Sequence, residues 1–527
     1  MKKRIIGFKM GLFIILAATV VAGCAEKENQ NSQESQKDGN GTKKMHMEFW
    51  TSALPVDHAF TKEYAENRFN VDIEHLVGGE NYKEKMNLMI VSGEAPDYIK
   101  NITLSEYDKY VEQGQFAEIP VELLEKHAPK YMAWLKENTD EDLFKYFNRN
   151  GKNYTMPNIW TLGPSMNVLG IRQDWLDKLG INKKPETLAE FEDMLIKFRN
   201  DDPDHNGKKD TYGLTTSLGS PSDLGGLFSS VFGAFDSYLG IFYEKDGKIT
   251  RGEIEPETKE ALAVLKRWYD EQLIDPEFVI NKSDNLDQKV FDSKVGMIQG
   301  GWWSFLPAAA FFDGKYVEKI PNAKWLLSSG PKGPNGAFGI GQIQPMSNTG
   351  LQFMKHMEKD PEKMIKYIEM IEAFNFDEDY LEVSYFGKEG VTYNKNGDSY
   401  EWIPPYDKKD EQLKFGIDRS VYHYDGMFNN YDLQAPFMTA PKYAELRKNA
   451  EKVGVGKYDI LFPIHKPIYN EYYDRLDQYT LKTFIDFITG RRDLKNFDKF
   501  VSEWMSMGGD KVMKEAQEAY SQYNSKG

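Results

Sequence analysis

Residues 171–214 read IRQDWLDKLGINKKPETLAEFEDMLIKFRNDDPDHNGKKDTYGL. The order of signals in this stretch is helix, short turn, capped helix, acidic loop and strand. Asp174, Trp175 and Leu176 begin a short helix that Gly180 ends. Thr187 and Glu190 form a Thr-x-x-Glu capping box, which satisfies two orphan amides at the start of the next helix. Leu188, Phe191, Leu195 and Phe198 recur at three- and four-residue intervals and make one apolar face. The loop DPDHNGKKD, residues 202–210, then spaces its polar groups one-three-five-seven-nine with Gly207 at six. Alternation round a glycine turn aims oxygens at one centre, which suits a hard cation such as calcium. The alternative is a hydrophilic turn that solvates its own charges. The bidentate Glu usual at position twelve is absent, because residue 213 is Gly. The loop is therefore expected to clamp a helix to a strand without doing chemistry.

Outward from this stretch, the start of the chain fixes a compartment. Lys2, Lys3, Arg4 and Lys9 precede an apolar run from Met10 to Val21 that is short for a membrane span. The run closes on Val21-Ala22-Gly23-Cys24, a lipoprotein cleavage pattern. Residues 1–23 are expected to be removed and Cys24 to carry the lipid (palmitate-class acylation), on the extracytoplasmic side of the cell membrane. Cys24 is the only cysteine in 527 residues, which excludes an intrachain disulfide and a Cys-based zinc site. Residues 24–44 lack an apolar face and are expected to be a disordered tether.

The formal charge is −16, and removal of the four basic residues of the leader leaves −20. Such a surface excludes a general electrostatic footprint on nucleic acid. The remaining chain exceeds what one core usually supports, so two lobes are expected. Strands alternate with helices between Met45 and Ile102, which predicts an α/β lobe with a mainly parallel sheet. Ligands of such sheets bind beyond the carboxyl ends of strands, where Trp50 and Asp97 fall. Lobe 1 is expected to comprise 45–160 and 290–345, and lobe 2 to comprise 161–289 and 346–527. After Pro345 the chain reads as mostly helical.

Aromatic residues make up 14% of the chain, more than a core alone explains. Trp134, Trp268 and Trp504 lie on helical faces and read as core. Trp50, Trp160, Trp302, Trp303 and Trp402 fall in expected loops or strand ends, with Tyr385, Glu389 and Asp425 in aromatic loops nearby. Trp302 and Trp303 are expected to point to opposite sides of an extended segment, one into the core. Aromatic rings stack on the apolar faces of sugars, and interleaved carboxylates accept from their hydroxyls. These loops are candidate ligand contacts, or they pack on one another.

Taken together, Val21-Ala22-Gly23-Cys24, Gly93-Glu94-Ala95-Pro96-Asp97, Arg172-Gln173-Asp174-Trp175-Leu176, the loop 202–210 and residues 291–303 resemble the extracellular solute-binding lipoproteins of carbohydrate ABC importers. The likeness is greatest to the oligosaccharide-binding type with an EF-hand-like calcium loop, which includes alginate-binding proteins. The resemblance implies a two-lobed fold like that of periplasmic binding proteins, with a sugar cleft between the lobes and closure on binding. It implies that Asp202, Asp204, Asn206, the Lys208 carbonyl and Asp210 hold a structural calcium, and that the chain acts as a monomer with ABC permease subunits. Two other readings compete. A lipid-anchored glycoside hydrolase would need two carboxylates at a fixed separation, and the sequence offers no specific pair. A sugar-binding lipoprotein that feeds a membrane sensor would look the same. The sequence holds no His-Glu-x-x-His, no Gly-x-Ser-x-Gly and no phosphate-binding Gly-x4-Gly-Lys-Ser/Thr.

Overall fold

A computed structural model describes residues 44–524, apart from 79–81, 140–141, 309, 311–313, 343–345, 398, 423, 425–429 and 463. The expected leader, Cys24 and nearly all of the tether lie outside the described residues. In chain order the strands are β1 (Met45–Thr51), β2 (Val71–Val77), β3 (Tyr98–Lys100), β4 (Met156–Ile159), β5 (Asn167–Arg172), β6 (Tyr212–Leu214), β7 (Phe242–Lys245), β8 (Lys248–Arg251), β9 (Val295–Gly301), β10 (Trp325–Ser328), β11 (Ile340–Gln342), β12 (Met346–Phe353), β13 (Tyr393–Asn396), β14 (Ser399–Trp402) and β15 (Gly456–Tyr458).

The first lobe is built from both ends of a long excursion. β1 and β2 pair in parallel around the helix Phe60–Phe69. β12 then returns and inserts between β3 and β4, antiparallel to both. Their core joins Phe49, Ile73, Tyr98 and Met156 to Phe353, Tyr367 and Phe374. The last two belong to the helix Pro361–Phe376, whose start is capped by the Asp360 carboxylate on the Lys363 N–H at 3.0 Å.

The second lobe centres on a sheet ordered β10-β5-β9-β6, in which only β6 and β9 are parallel. Successive side chains of a strand face opposite sides, and here both sides are covered. Leu169, Ile171 and Met297 join one apolar core, and Val168 and Ile298 join another. The first of these cores is completed by the helices Leu188–Asn200, Pro256–Asp270, Pro467–Ile488 and Phe497–Trp504. Trp134, Trp268 and Trp504 are buried, as their helical positions require.

Three expectations change. The sheets are mostly antiparallel: β12 runs against both β3 and β4, β9 and β10 run against β5, and β7–β8 and β13–β14 are hairpins. Residues 291–301 do not return to the first lobe: β9 lies between β5 and β6. Residues 346–353 are not helical and not part of the second lobe, since β12 supplies the middle strand of the first. The lobe boundaries expected at 290 and 345 were drawn one crossing too early.

Candidate functional site

The chain passes from the first lobe to the second after β4, and the residue that leaves the strand is Trp160. β9 of the second lobe ends at Gly301 and runs into a single tight turn, Trp302–Phe305. The two strand ends meet. The rings of Trp160 and Trp303 lie 5.8 Å apart at 45°, and Tyr431 packs edge-on against Trp160 at 5.5 Å. The Trp160 indole N–H donates to the Leu162 carbonyl at 2.7 Å, which fixes the ring's direction. A Cβ on Gly301 would come to 2.5 Å from the Trp303 ring, so glycine is what lets that indole fold over the strand end. Trp160, Trp303 and Tyr385 remain half-buried on the margin of the same apolar cluster. Tyr385 stacks on Phe437 with centroids 5.8 Å apart at 19°. A small pocket, with room for about one water molecule, opens beside β9, lined by Leu169, Thr215, Thr216, Ser230 and Gln299 among others. Ser229 donates to Gln299 at 2.9 Å, which holds that amide at the cavity wall.

The other expected contacts fall elsewhere. Trp302 is fully buried behind Trp303, so the pair divides into one core and one margin residue, although the backbone there is a turn and not extended. Trp50 is core: its indole N–H donates to the Tyr98 carbonyl at 3.1 Å and its ring meets Tyr82. Asp97 is 5% exposed, and its acceptors are already used by Lys363 at 2.6 Å, Tyr367 at 2.6 Å and His356 at 3.2 Å. Burial pushes its carboxyl up, but these three partners outweigh it and hold Asp97 below the ordinary carboxylate range. Trp50 and Asp97 are thus structural: Trp50 is enclosed by Tyr82 and Tyr98, and Asp97 precedes β3, at its amino end, tied to the helix Pro361–Phe376. Trp402 rests on Phe386 at 5.3 Å, beside Tyr400 stacked on the same ring at 4.3 Å. Glu389 is exposed at the turn before that hairpin. Asp425 lies outside the described residues. Gln299 was not singled out by sequence. The signal available for Gln299 was a polar residue ahead of two glycines at the end of a buried strand.

The loop 202–210 leaves the helix Leu188–Asn200 and enters β6, as its signals require. The capping box is present: the Glu190 N–H donates to Thr187 at 3.3 Å and the Thr187 N–H to Glu190 at 3.0 Å. Asp202 accepts from the backbone N–H groups of Asn206 and Gly207 at 3.1 and 3.0 Å. The Asn206 side chain bridges Asp204 at 2.8 Å and Asp210 at 3.0 Å. Burial, then the Asp202 carboxyl, then Asp210, push the Asp204 carboxyl up. Its Oδ1 is buried with no donor. Three carboxylates and one amide therefore converge with a deficit of positive charge, which fits a hard dication. The position-twelve Glu has no replacement carboxylate in the loop. The Lys294 ammonium sits 2.6 Å from Asp210 and brings a positive charge to the end of the loop.

A family model for bacterial extracellular solute-binding proteins matches residues 58–382, more than half of the chain. The chain belongs to that family. It is 27% identical to lipoprotein LipO of Bacillus subtilis over 97% of its own length and 98% of the relative's. It is 24% identical to the polygalacturonan/rhamnogalacturonan-binding protein YtcQ of the same organism, over 97% and 98%. Among solved structures, the Streptococcus pneumoniae ABC-transporter substrate-binding protein FusA in complex with kestose superposes with a TM-score of 0.68 at 19% identity, covering 92% of this chain and all of that one. The calcium-free alginate-binding protein AlgQ2 does so with a TM-score of 0.63 at 19% identity, covering 90% and 97%. These likenesses place the two-lobed fold. No helix among the described residues is long and apolar enough to cross a membrane.

Proposed function

We propose that the chain captures an oligosaccharide between its lobes and delivers it to the permease subunits of an ABC importer, held at the outer face of the cell membrane by a lipid on Cys24. The observation that carries this reading is the meeting of Trp160 and Trp303 at strand ends of opposite lobes. Sugar rings offer apolar C–H faces that half-buried indoles and Tyr385 stack against. A ligand that touches both lobes favours the arrangement in which they are closed, and a permease reads that arrangement. YtcQ by name binds polygalacturonan and rhamnogalacturonan, and FusA is seen with kestose. Both support a carbohydrate ligand here. Asp202, Asp204, Asn206, the Lys208 carbonyl and Asp210 hold a calcium ion that stiffens the second lobe and takes no part in sugar chemistry.

Calorimetry of the purified mature protein against fructo-, galacturono- and neutral oligosaccharides tests this. Saturable one-to-one heat with sugar recovered unchanged is expected. Trp303→Ala should weaken the bound sugar about tenfold or more, a loss of about 1.4 kcal/mol. Cleavage of the sugar would overturn the binding role, and unchanged affinity in Trp303→Ala would move the site.

A further inference from the structure

His46 and Glu48 alternate along β1, and Asp72 and Glu74 along β2. The parallel register sets His46 beside Asp72 and Glu48 beside Glu74. Residues two apart on a strand share a face, so these four stand together, opposite the buried Met47, Phe49, Val71 and Ile73. One donor atom from each of His46, Glu48 and Glu74 lies within 4.8 Å of the others. Ligands of a four-coordinate zinc ion with bonds near 2 Å stand about 3.3 Å apart, and small side-chain rotations bring the three to that spacing. His46 Nε2 and a Glu74 oxygen are already 3.2 Å apart.

Two further contacts distinguish this group from a patch of surface acids. The second imidazole nitrogen, Nδ1, faces Asp72 at 3.3 Å. A carboxylate on the far nitrogen of a metal-binding histidine selects its tautomer and raises its basicity. Glu48 is held from behind by the Asp97 N–H at 3.1 Å. The nearby Lys363 ammonium contacts Asp97 at 2.6 Å. The carboxylates of Glu48, Asp72 and Glu74 thus face one imidazole. His46 and Glu74 are open to solvent, with side chains 36% and 43% exposed, so an ion has a way in.

We propose that His46 Nε2, Glu48 and Glu74 bind a zinc-class divalent transition-metal ion on the outer face of β1 and β2, with Asp72 as the positioning residue of His46. The imidazole selects zinc, cobalt or nickel over calcium and magnesium, which prefer all-oxygen shells. Three protein ligands leave one position for water. The ion ties β1 to β2 across their exposed face. It is separate from the loop 202–210, whose proposed ligands are all oxygens.

The test titrates the chelator-treated mature protein with cobalt, followed by its visible absorption, and with zinc, followed by calorimetry. One equivalent of cobalt should give a visible band that zinc displaces. His46→Ala and Glu74→Gln should each abolish the band, with the apo-protein's circular dichroism and melting temperature as checks on folding. Asp72→Asn should weaken zinc by about 10- to 100-fold. Asp204→Asn should leave both metals bound as before. Zinc or cobalt bound with wild-type affinity in both His46→Ala and Glu74→Gln would overturn the site, as would the absence of saturable uptake at micromolar metal by the unmutated protein. A histidine that only hydrogen-bonds to its carboxylate neighbours Asp72 and Glu74 gives that last result.

Discussion

Asp97 in the first lobe and Asp204 in the second are both carboxylates drawn in from the surface, and they are held in opposite ways. Asp97 meets an ammonium, a phenol and an imidazole, and its carboxyl sits below its ordinary range. Asp204 meets two other carboxylates and one amide, and its carboxyl is pushed above that range. Burial raises both, so the difference lies in the partners. A carboxylate whose acceptors are filled from within the fold is a structural tie. One left with an unpartnered buried oxygen among like charges is where the proposed calcium would supply the missing positive charge.

The largest expected effect comes from breaking the filled case. Lys363→Met leaves the Asp97 charge buried without its closest cation, and should cost about 3–5 kcal/mol in denaturant unfolding. A cost below about 1 kcal/mol would mean that His356 and Tyr367 suffice. The same tie has a pH signature. Asp97 is held below its unfolded value, so its stabilisation is complete at neutral pH and is lost as pH falls through the unfolded and then the folded value. Glu48 is raised, so it gains stability over the acid range and offsets part of that loss. Unfolding at a series of pH values between about 5 and 3 should therefore fall more steeply in Glu48→Gln than in the unmutated protein.

Filling the empty case should stabilise the protein by a smaller amount. Calcium at a hundred times its dissociation constant adds about 2.7 kcal/mol, read as a rise in melting temperature that chelator reverses and Asp204→Asn removes. Lys294→Met takes the competing ammonium from Asp210 and should tighten calcium. Looser calcium in that variant would show the lysine to be a support of the loop and not a rival for it. The smallest effect sharpens the scaffold behind the comparison. Thr187→Ala removes the side-chain cap of the helix that carries the loop, and should cost about 1 kcal/mol without changing calcium stoichiometry.

What the sequence made legible follows how far apart the partners lie. The capping box, the apolar face from Leu188 to Phe198 and the loop from Asp202 to Asp210 are local patterns, and the structure places them where the spacing puts them. The helical tryptophans were readable for the same reason. Trp160 and Trp303 were picked out as residues, but their meeting depends on two strand ends from different lobes. Asp97 misled because its three partners come from beyond residue 350, out of reach of any local pattern. The lobe boundaries failed likewise. A strand of residues 346–353 that closes a sheet begun at residue 98 has no signature in its own composition. The His46–Glu74 group shares this property, since only the β1–β2 register brings it together.

The insertion of β12 between β3 and β4 has a consequence for how the chain assembles. Contacts between segments so distant in sequence carry a large entropy cost before they repay it. While the polypeptide is being made, the first lobe has both edges of its sheet and no middle strand until residues 346–353 emerge. The second lobe's sheet, from β5 to β10, is by then complete. The half that begins the chain is thus the half that finishes late, with the edges of β3 and β4 unpaired until β12 arrives.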